Sequence, residues 1–282
     1  MRLEEQIDVL VQMGLAEDLG DRADVTSRAI LPSESVMYAR IVAKADGVIA
    51  GLPAVHAVFN QVDSRVVVEP CVADGDRVAR GVVVCTLQGS AQSLLTGERT
   101  ALNFLQRLSG VATLTRQFVD ATGGTNAVIL DTRKTTPGWR LLEKYAVRMG
   151  GGQNHRIGLY DAVMIKENHI AAAGGITAAV QMVRDYPDAK DLPIIVEVEN
   201  LTQLEEVLPL EVNQVLLDNM DEATMRRAVE ITAGRVPLEA SGNMSLERVA
   251  AVAATGVNFI SVGALTHSAP AFDLSMRITG EE

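Results

Sequence analysis

Residues 193–220, PIIVEVENLTQLEEVLPLEVNQVLLDNM, contain the pattern that decides the fold. Two short runs rich in Val, Ile and Leu enclose a predicted helix at 201–208. Strands with nearly continuous apolar side chains are buried on both faces, as in parallel sheets. A strand, a helix and a second strand joined by short loops form a βαβ unit. The segment therefore predicts a parallel sheet covered by helices.

The same alternation of strand and helix extends in both directions from this unit. The further predicted strands are AVILD (127–131), AVMIK (162–166), PLEAS (237–241) and FISVG (259–263), and the further predicted helices are 138–149, 175–185, 221–232 and 245–254. With about six strands, we predict an irregular, incomplete TIM-like α/β barrel. A doubly wound open sheet is the alternative.

The first 110 residues follow a different rhythm. A helical pattern at 4–18 is followed by the short strand-like segments VMYARIVAKA, VIAG, RVVVEP and VVVCTL, and then by a long helical stretch at 90–119. This order predicts an antiparallel, half-barrel-like domain. We therefore divide the chain into an N-terminal domain at 1–108, which residues 267–282 rejoin, and a barrel domain at 109–266.

Composition excludes several classes of function. The chain has 282 residues and a formal net charge of −11, so a broad basic surface for nucleic acid is not expected. Its two cysteines lie in no CxxC pair and near no histidine at ligand spacing, which argues against a zinc site. No apolar run is long enough for a bilayer, and the N-terminus lacks a signal peptide pattern. We expect a cytoplasmic protein.

One segment of this acidic chain is basic. Residues 111–169 contain 8 basic and 5 acidic side chains, and the stretch DTRKTTPGWR at 131–140 places Arg133, Lys134 and Arg140 around Asp131. A local positive region in a negative protein acts over a short range, on a small anionic ligand.

The predicted barrel strands end in polar residues. Lys166 closes one strand, Glu197 and Glu199 another, and Asp218 a third. The carboxyl ends of barrel strands form one rim, where the chemistry of such folds takes place. Guanidinium and ammonium groups match carboxylate or phosphate oxygens, and carboxylates suit Mg²⁺ or sugar hydroxyls. The rim therefore predicts a site for a phosphate-rich or carboxylate substrate.

Long ordered motifs resemble the quinolinate phosphoribosyltransferase family. They are GERTALNFLQRLSG, DTRKTTPGWRLLEKYAVRMGGGQNHR, YDAVMIKENHI, VEVEN, LLDNM, EASGNMS and SVGALTHSAPAFDLSM. The resemblance implies an N-terminal α/β sandwich and a C-terminal irregular α/β barrel. It implies conversion of quinolinate and phosphoribosyl pyrophosphate to nicotinate mononucleotide, pyrophosphate and CO₂, with Mg²⁺, in NAD biosynthesis. It also implies a homodimer in which each subunit completes the other's site, and it leaves a hexamer of dimers open.

The resemblance also implies roles for individual residues. The pocket for the quinolinate dianion would be formed by Thr132, Arg133, Lys134, His155, Arg156 and Lys166, with Arg99 reaching in from the partner subunit. Glu197 and Asp218 would hold the ribose or the Mg²⁺–pyrophosphate. The 5′-phosphate would be bound by Ser241, Gly242, Asn243, Val262, Gly263 and Ala264. The catalytic group would be Lys134, Lys166, Glu197 and Asp218, with Lys134 or Lys166 touching the carboxylate that leaves.

Three other functions remain open on the residues alone. Lys166 at a strand end could be the nucleophile of a Schiff-base lyase. A phosphoribosyltransferase could act on a related pyridine anion without decarboxylation. The Asp-Gly turn at 74–75 is also found in biotinyl- or lipoyl-like carriers, but no lysine stands at that turn.

Overall fold

The computed structural model describes residues 2–279, which form two compact units. The first unit takes its described residues from segments 1–116, 135–151 and 269–282, and the second from segments 117–134 and 152–268. The boundaries that we infer from the sequence, after residues 108 and 266, stay a prediction about folding domains.

The first nine elements all lie before residue 122. In chain order they are α1 (Leu3–Leu19), α2 (Val25–Ile30), β1 (Val36–Ala43), β2 (Gly47–Val48), α3 (Leu52–Val62), β3 (Val67–Pro70), β4 (Arg77–Val78), β5 (Val83–Ser90) and α4 (Ala91–Ala121). α1 buries Ile7, Val11 and Leu15 along one face, as their spacing of four residues requires.

The later elements alternate between strand and helix. They are β6 (Val128–Leu130), α5 (Arg140–Met149), β7 (Val163–Ile165), α6 (Glu167–Ala173), α7 (Ile176–Asp185), β8 (Ile194–Val198), α8 (Leu201–Val207), β9 (Gln214–Asp218), α9 (Glu222–Thr232), β10 (Leu238–Ser241), α10 (Leu246–Ala253), β11 (Phe259–Ser261), α11 (Ala264–His267) and β12 (Leu274–Thr279). Side chains cap two of the helices that follow strands, since Asn200 accepts from Gln203 N and Asp221 from Thr224 N.

An antiparallel sheet organises the first unit. Its strand order is β12-β1-β5-β3, so β1 is paired on both sides. The register with β12 runs from Tyr38 opposite Thr279 to Ala43 opposite Leu274. Ala39, Ile41 and Ala43 are buried, which matches the period of two expected for a strand with one covered face.

A six-stranded parallel sheet organises the second unit. Its order is β6-β11-β10-β9-β8-β7, so neighbours in the sheet from β7 to β11 are also neighbours in the chain. A doubly wound sheet reverses its order in the middle, and this sheet does not. Among the described residues, β6 forms a bridge through Leu130 to Gln153 rather than to β7. The predicted class, an antiparallel domain plus an incomplete α/β barrel, is confirmed.

The predicted barrel strands all form, with ends that differ from the prediction by no more than two residues. The sequence patterns missed α2, α3, β4, α6, α11 and β12. The alternation of apolar and polar residues from Leu274 to Thr279 has the period of a strand, so this pattern could have identified β12. No helix within residues 2–279 combines the length and the apolar character that crossing a bilayer requires.

Candidate functional site

A cavity of about 590 Å³ lies at the carboxyl ends of the parallel strands of the second unit. Strand residues and the loops that follow them line it together. The lining residues are Thr132, Arg133, Lys134, His155, Arg156, Met164, Lys166, Glu197, Leu216, Asp218, Asn219, Glu239, Ser241, Gly242, Asn243 and Ser261.

The alternation of strand side chains arranges the cavity in layers. Asp218 and Ser241 are partners in the sheet register, and both line the cavity at the strand ends. Two residues earlier on each strand, Leu216 and Glu239 are also partners, and they lie one layer deeper. Glu197 of β8 is in register with Leu216, so it belongs to the same row as Glu239.

Asp131, the acidic residue of the basic loop, has a structural task. Its side chain is fully buried at the end of β6. One carboxylate oxygen accepts a hydrogen bond from Asn154 Nδ2 at 2.6 Å, and the other accepts from the backbone N–H of His155 at 2.9 Å. Charge-assisted bonds of this kind are strong. Asp131 therefore anchors the loop that carries His155 and Arg156 to the end of β6, just before Arg133.

The cationic side of the cavity contains two guanidinium groups that repel each other. Burial, followed by the nearby positive charge of Arg133, lowers the pKa of the Arg156 guanidinium, and Asp161 opposes this shift. Arg156 Nη1 donates to the carbonyl of Ala162 at 3.0 Å, which fixes the direction of the side chain. An anion that bridges two adjacent guanidinium groups beside a cavity can relieve their electrostatic repulsion.

His155 is held through both ring nitrogens. Its Nδ1 accepts the backbone N–H of Arg156 at 2.7 Å, and its Nε2 lies 3.1 Å from Glu239 Oε2. Because Nδ1 accepts a hydrogen bond, the ring proton is on Nε2 and is donated to the carboxylate. The side chain is 8% exposed. The ring is therefore part of the cavity wall.

Glu239 is a fully buried carboxylate at the floor of the cavity. Its Oε2 accepts from His155 and also from Gln214 Nε2. Its Oε1 accepts no hydrogen bond from any residue in the described part of the chain. A buried carboxylate that is only half satisfied destabilises a fold.

The acidic side of the cavity carries Glu197 and Asp218. Glu197 forms an ion pair with Lys166, so charges that the sequence places on opposite sides of the rim are in direct contact. Asp218 Oδ2 accepts from Asn219 Nδ2 at 2.8 Å. Within residues 2–279, no three His, Cys, Asp or Glu side chains cluster as metal ligands. Glu197 and Asp218 supply oxygen atoms of the kind that Mg²⁺ accepts when the remaining ligands are phosphate and water.

A tight turn follows β10 at the mouth of the cavity. Gly242 has φ +96°, and a Cβ atom there would lie 2.1 Å from Asn219 Oδ1. Only glycine fits this backbone and this approach. Asn243 follows with φ +49°, a left-handed conformation that asparagine tolerates. The turn brings backbone from the end of β10 against the end of β9.

The residues after β11 pack against the basic loop. A Cβ atom on Gly263 would lie 3.0 Å from Lys134 Cδ, and Thr266 Oγ1 donates to the Lys134 carbonyl at 2.7 Å. Val262 is buried, whereas Gly263 and Ala264 are half-buried. This segment therefore supports the position of Lys134.

The structure brings together most of the predicted site residues in one cavity. The residues that line it are Thr132, Arg133, Lys134, His155, Arg156, Lys166, Glu197, Asp218, Ser241, Gly242 and Asn243. The described residues that line it do not include Arg99, Val262, Gly263 or Ala264. Arg99 lies on α4 in the first unit, where it lines a separate concave surface with Glu17, Asp18 and Trp139.

Sequence reasoning missed five residues of the cavity wall. They are Met164, Leu216, Asn219, Glu239 and Ser261. Four of them, all except Asn219, lie two residues before the predicted end of a strand. The rule that alternate strand residues share a face could have found them. Glu239 carried the clearest signal, because an ionisable residue inside the apolar strand PLEAS is unusual.

Comparison with known proteins gives two matching family models. Residues 24–109 match the model described as quinolinate phosphoribosyl transferase, N-terminal domain. Residues 111–277 match the C-terminal domain of the same description.

Individual relatives agree with these matches. The chain is 44% identical over 289 residues to quinolinate phosphoribosyltransferase [decarboxylating] 2a, mitochondrial, of Nicotiana tabacum, covering 96% of this chain and 82% of that one. It is 47% identical to the probable nicotinate-nucleotide pyrophosphorylase [carboxylating] of a Synechocystis species, covering 96% and 92%. The solved structure of the nicotinate-nucleotide pyrophosphorylase of Francisella tularensis superposes with a TM-score of 0.95 at 39% identity, covering 99% and 98% of the two chains.

Proposed function

The chain belongs to the quinolinate phosphoribosyltransferase family, and from that premise we propose that it makes nicotinate mononucleotide, pyrophosphate and CO₂ from quinolinate and phosphoribosyl pyrophosphate. The observation that carries the proposal is the cavity at the strand ends, where guanidinium groups face carboxylates. We assign the reaction to the de novo synthesis of NAD.

Recognition of quinolinate rests on its two negative charges. In the proposal Arg133 and Arg156 bind the adjacent carboxylates, and Lys134 adds a third positive charge. Burial and, after it, repulsion by Arg133 lower the pKa of Arg156, and the repulsion supports this assignment because a dianion would relieve it. Fixed guanidinium groups also aim the pyridine nitrogen at C1 of the ribose. Orientation of this kind is worth roughly 7–11 kcal/mol.

Transfer of the phosphoribosyl group builds positive charge on the sugar, as in glycoside cleavage. Glu197 and Asp218 face the cavity and would stabilise that charge. Glu197 and Asp218 would hold Mg²⁺ together with the pyrophosphate oxygens of the substrate, and the ion would supply neutralising charge to the leaving group. The backbone of Ser241, Gly242 and Asn243 would bind the 5′-phosphate, together with Val262, Gly263 and Ala264.

Decarboxylation follows from the ribosylated ring. Once the nitrogen carries the sugar it is cationic, so it can hold the electron pair left on C2 when the bond to the carboxylate breaks and CO₂ departs. A proton then replaces CO₂ on that carbon. The protein needs only to hold the 2-carboxylate beside the nitrogen and to exclude water. We assign the contact with this carboxylate to Lys134 or Lys166.

Arg99 supplies the argument for a homodimer. It lies on the first unit, outside the set of described residues that line the cavity. In the proposal it completes the site of the partner subunit, and a hexamer of dimers would keep that contact. We also propose a cytoplasmic location, although the Nicotiana tabacum relative is named mitochondrial.

A Schiff-base lyase is the rival function. Its nucleophile would be Lys166 as the neutral amine. Lys166 is engaged in an ion pair with Glu197, and such a lyase would not use the two guanidinium groups. Borohydride in the presence of a carbonyl substrate would attach it covalently to a lyase and would leave a phosphoribosyltransferase unlabelled.

The deciding experiment mixes the protein with quinolinate, phosphoribosyl pyrophosphate and Mg²⁺ and measures CO₂ and nicotinate mononucleotide. We expect both products in equal amounts and neither when any one component is omitted. Product that retains both carboxylates would favour a transferase that does not decarboxylate. No product from the complete mixture would contradict the proposal.

A further inference from the structure

The buried pair of His155 and Glu239 raises a question that the proposed reaction does not answer. Neither ring nitrogen of His155 is left to bind a substrate carboxylate, because one accepts from Arg156 N and the other faces Glu239. Glu239 itself lies at the floor of the cavity with 0% of its side chain exposed. A charge in this position needs a reason beyond packing.

The hydrogen bonds define one protonation pattern. A backbone N–H always donates, so Nδ1 of His155 must be the acceptor of the bond from Arg156 at 2.7 Å. The proton then resides on Nε2 and points to Glu239 Oε2. Protonation of both nitrogens, or of Nδ1 alone, would set two donors against each other at Arg156. The carboxylate of Glu239 therefore selects the tautomer that can hold the backbone of Arg156.

We propose that Glu239 is a positioning residue, which fixes the Nε2–H tautomer of His155 and through it the placement of Arg156 against the pyridine dicarboxylate. The contacts form one chain from Glu239 through the imidazole to the backbone N–H of Arg156, whose side chain is held at Ala162. The inference rests on the proposed function for its kinetic consequences, but the tautomer itself does not depend on it.

Glu239 is suited to this task by its surroundings. It is placed in β10 beside Leu216, so its backbone is fixed by the sheet. Gln214 Nε2 also donates to Oε2, so this oxygen accepts two separate hydrogen bonds, and the one from His155 does not depend on the one from Gln214. Oε1 accepts no hydrogen bond from the residues at 2–279, so the hydrogen bonds described for this carboxylate both go to Oε2.

Three variants separate positioning from packing. Glu239→Met keeps the volume and removes the acceptor. Glu239→Gln keeps an oxygen that can accept from His155. Gln214→Leu is the matched control, because it removes the other hydrogen bond to Oε2 and leaves the imidazole pair in place.

The first readout is the tautomer of His155. The chain has four histidines, so ring-¹⁵N labelling gives few signals, and His155→Gln identifies the one of interest. At about pH 8, where imidazole is ordinarily neutral, we expect Nε2–H in the wild type, Glu239→Gln and Gln214→Leu, and a mixture of tautomers in Glu239→Met. An Nδ1–H tautomer in the wild type would overturn the proposal, whether or not the protein turns over quinolinate.

The second readout is the split between KM and kcat. For Glu239→Met we expect KM for quinolinate to rise at least about tenfold, with kcat and KM for phosphoribosyl pyrophosphate changing less than about threefold. Glu239→Gln should restore most of the loss, and Gln214→Leu should stay near the wild type. An equal rise in KM for Glu239→Met and Gln214→Leu, or a loss confined to kcat, would overturn the proposal. If Glu239→Met does not accumulate as folded protein, Glu239→Gln provides the test instead. Loss of the Nε2–H tautomer in Glu239→Gln would then overturn the proposal.

Discussion

At the scale of single residues, the two guanidinium groups carry the affinity of the proposed site. Arg156 is buried enough to have a lowered pKa, it is directed by Ala162, and it lies near a second positive charge. A planar guanidinium can meet a carboxylate with two parallel hydrogen bonds, and an ammonium cannot. Charge is therefore only part of what the site requires at this position.

Replacing Arg156 with Lys tests that distinction. The positive charge is kept, but the paired hydrogen bonds and the bond to Ala162 are lost, so we expect KM for quinolinate to rise about 10- to 100-fold. Arg227→Lys is the control, because Arg227 is exposed on α9 and pairs only with Glu230. Steady-state kinetics of both variants decide the point, and equal behaviour of the two would contradict the assigned role of Arg156.

Lys166 offers a second test at this scale. Its ion pair with Glu197 places an ammonium at the rim, where it can meet both the leaving carboxylate and the pyrophosphate. We expect Lys166→Ala to lower kcat about 100-fold, with a much smaller change in quinolinate affinity. The exposed Lys190→Ala serves as control. Turnover and binding of quinolinate, measured separately, would show losses of equal size if Lys166 only bound the substrate.

At the scale of elements, the turn after β10 joins two strand ends. Gly242 has a backbone conformation that disfavours other residues, and the space for a Cβ atom is taken by Asn219. The stability of the turn and the shape of the proposed phosphate subsite therefore depend on the same residue. Strand ends held this closely can present backbone N–H groups in a fixed direction.

Gly242→Ala and Gly234→Ala form a matched pair. Gly234 also has a positive φ, but a Cβ atom there meets nothing within 4 Å, so the change should cost about 1–2 kcal/mol of unfolding free energy through strain alone. Gly242→Ala adds a clash with Asn219 and should cost more. We also expect it to raise KM for phosphoribosyl pyrophosphate. Denaturant unfolding and kinetics of both variants provide the measurement, and equal costs without a change in KM would count against the role of the turn.

At the scale of the whole molecule, burial separates the two cysteines. Cys71 is exposed, and Cys85 is buried in β5. Burial raises the pKa of the Cys85 thiol to about 12, so almost no thiolate forms at neutral pH. We expect a thiol reagent to modify one cysteine in the folded protein and two after denaturation, and Cys71→Ser to abolish the first reaction. Rapid modification of Cys85 in the folded state would show that β5 opens.

The proposed homodimer makes a quantitative prediction. Arg99→Ala and Lys166→Ala should each be nearly inactive alone, since each damages every site. If Arg99 serves the partner's cavity, exchange of subunits in a mixture restores one intact site per mixed dimer. Random mixing then gives about one quarter of wild-type activity. Assays after unfolding and joint refolding measure this, and an inactive mixture would assign Arg99 to its own subunit's site or to none.

Periodicity and charge in the sequence by themselves determined the fold class and the charged residues at the strand ends, whereas the family resemblance supplied the other predicted residues of the cavity wall. Continuous Val, Ile and Leu in segments such as 128–130 and 194–196 predict a parallel sheet, because a strand covered on both faces can carry apolar residues at consecutive positions. The carboxyl ends of parallel strands share an edge, so the sequence predicts that Lys166, Glu197 and Asp218 lie together.

Tertiary structure alone decided which groups meet. The pairing of Lys166 with Glu197, the anchoring of the 154–156 loop by Asp131 and the chain from Glu239 to Arg156 join residues as far as 84 positions apart. Local sequence pattern reports which face of a strand a residue occupies, but not the register and distance between strands that are remote in the chain. Hydrogen bonds depend steeply on that distance and direction, so only the folded molecule settles the tautomer of His155 and the partners of Glu239.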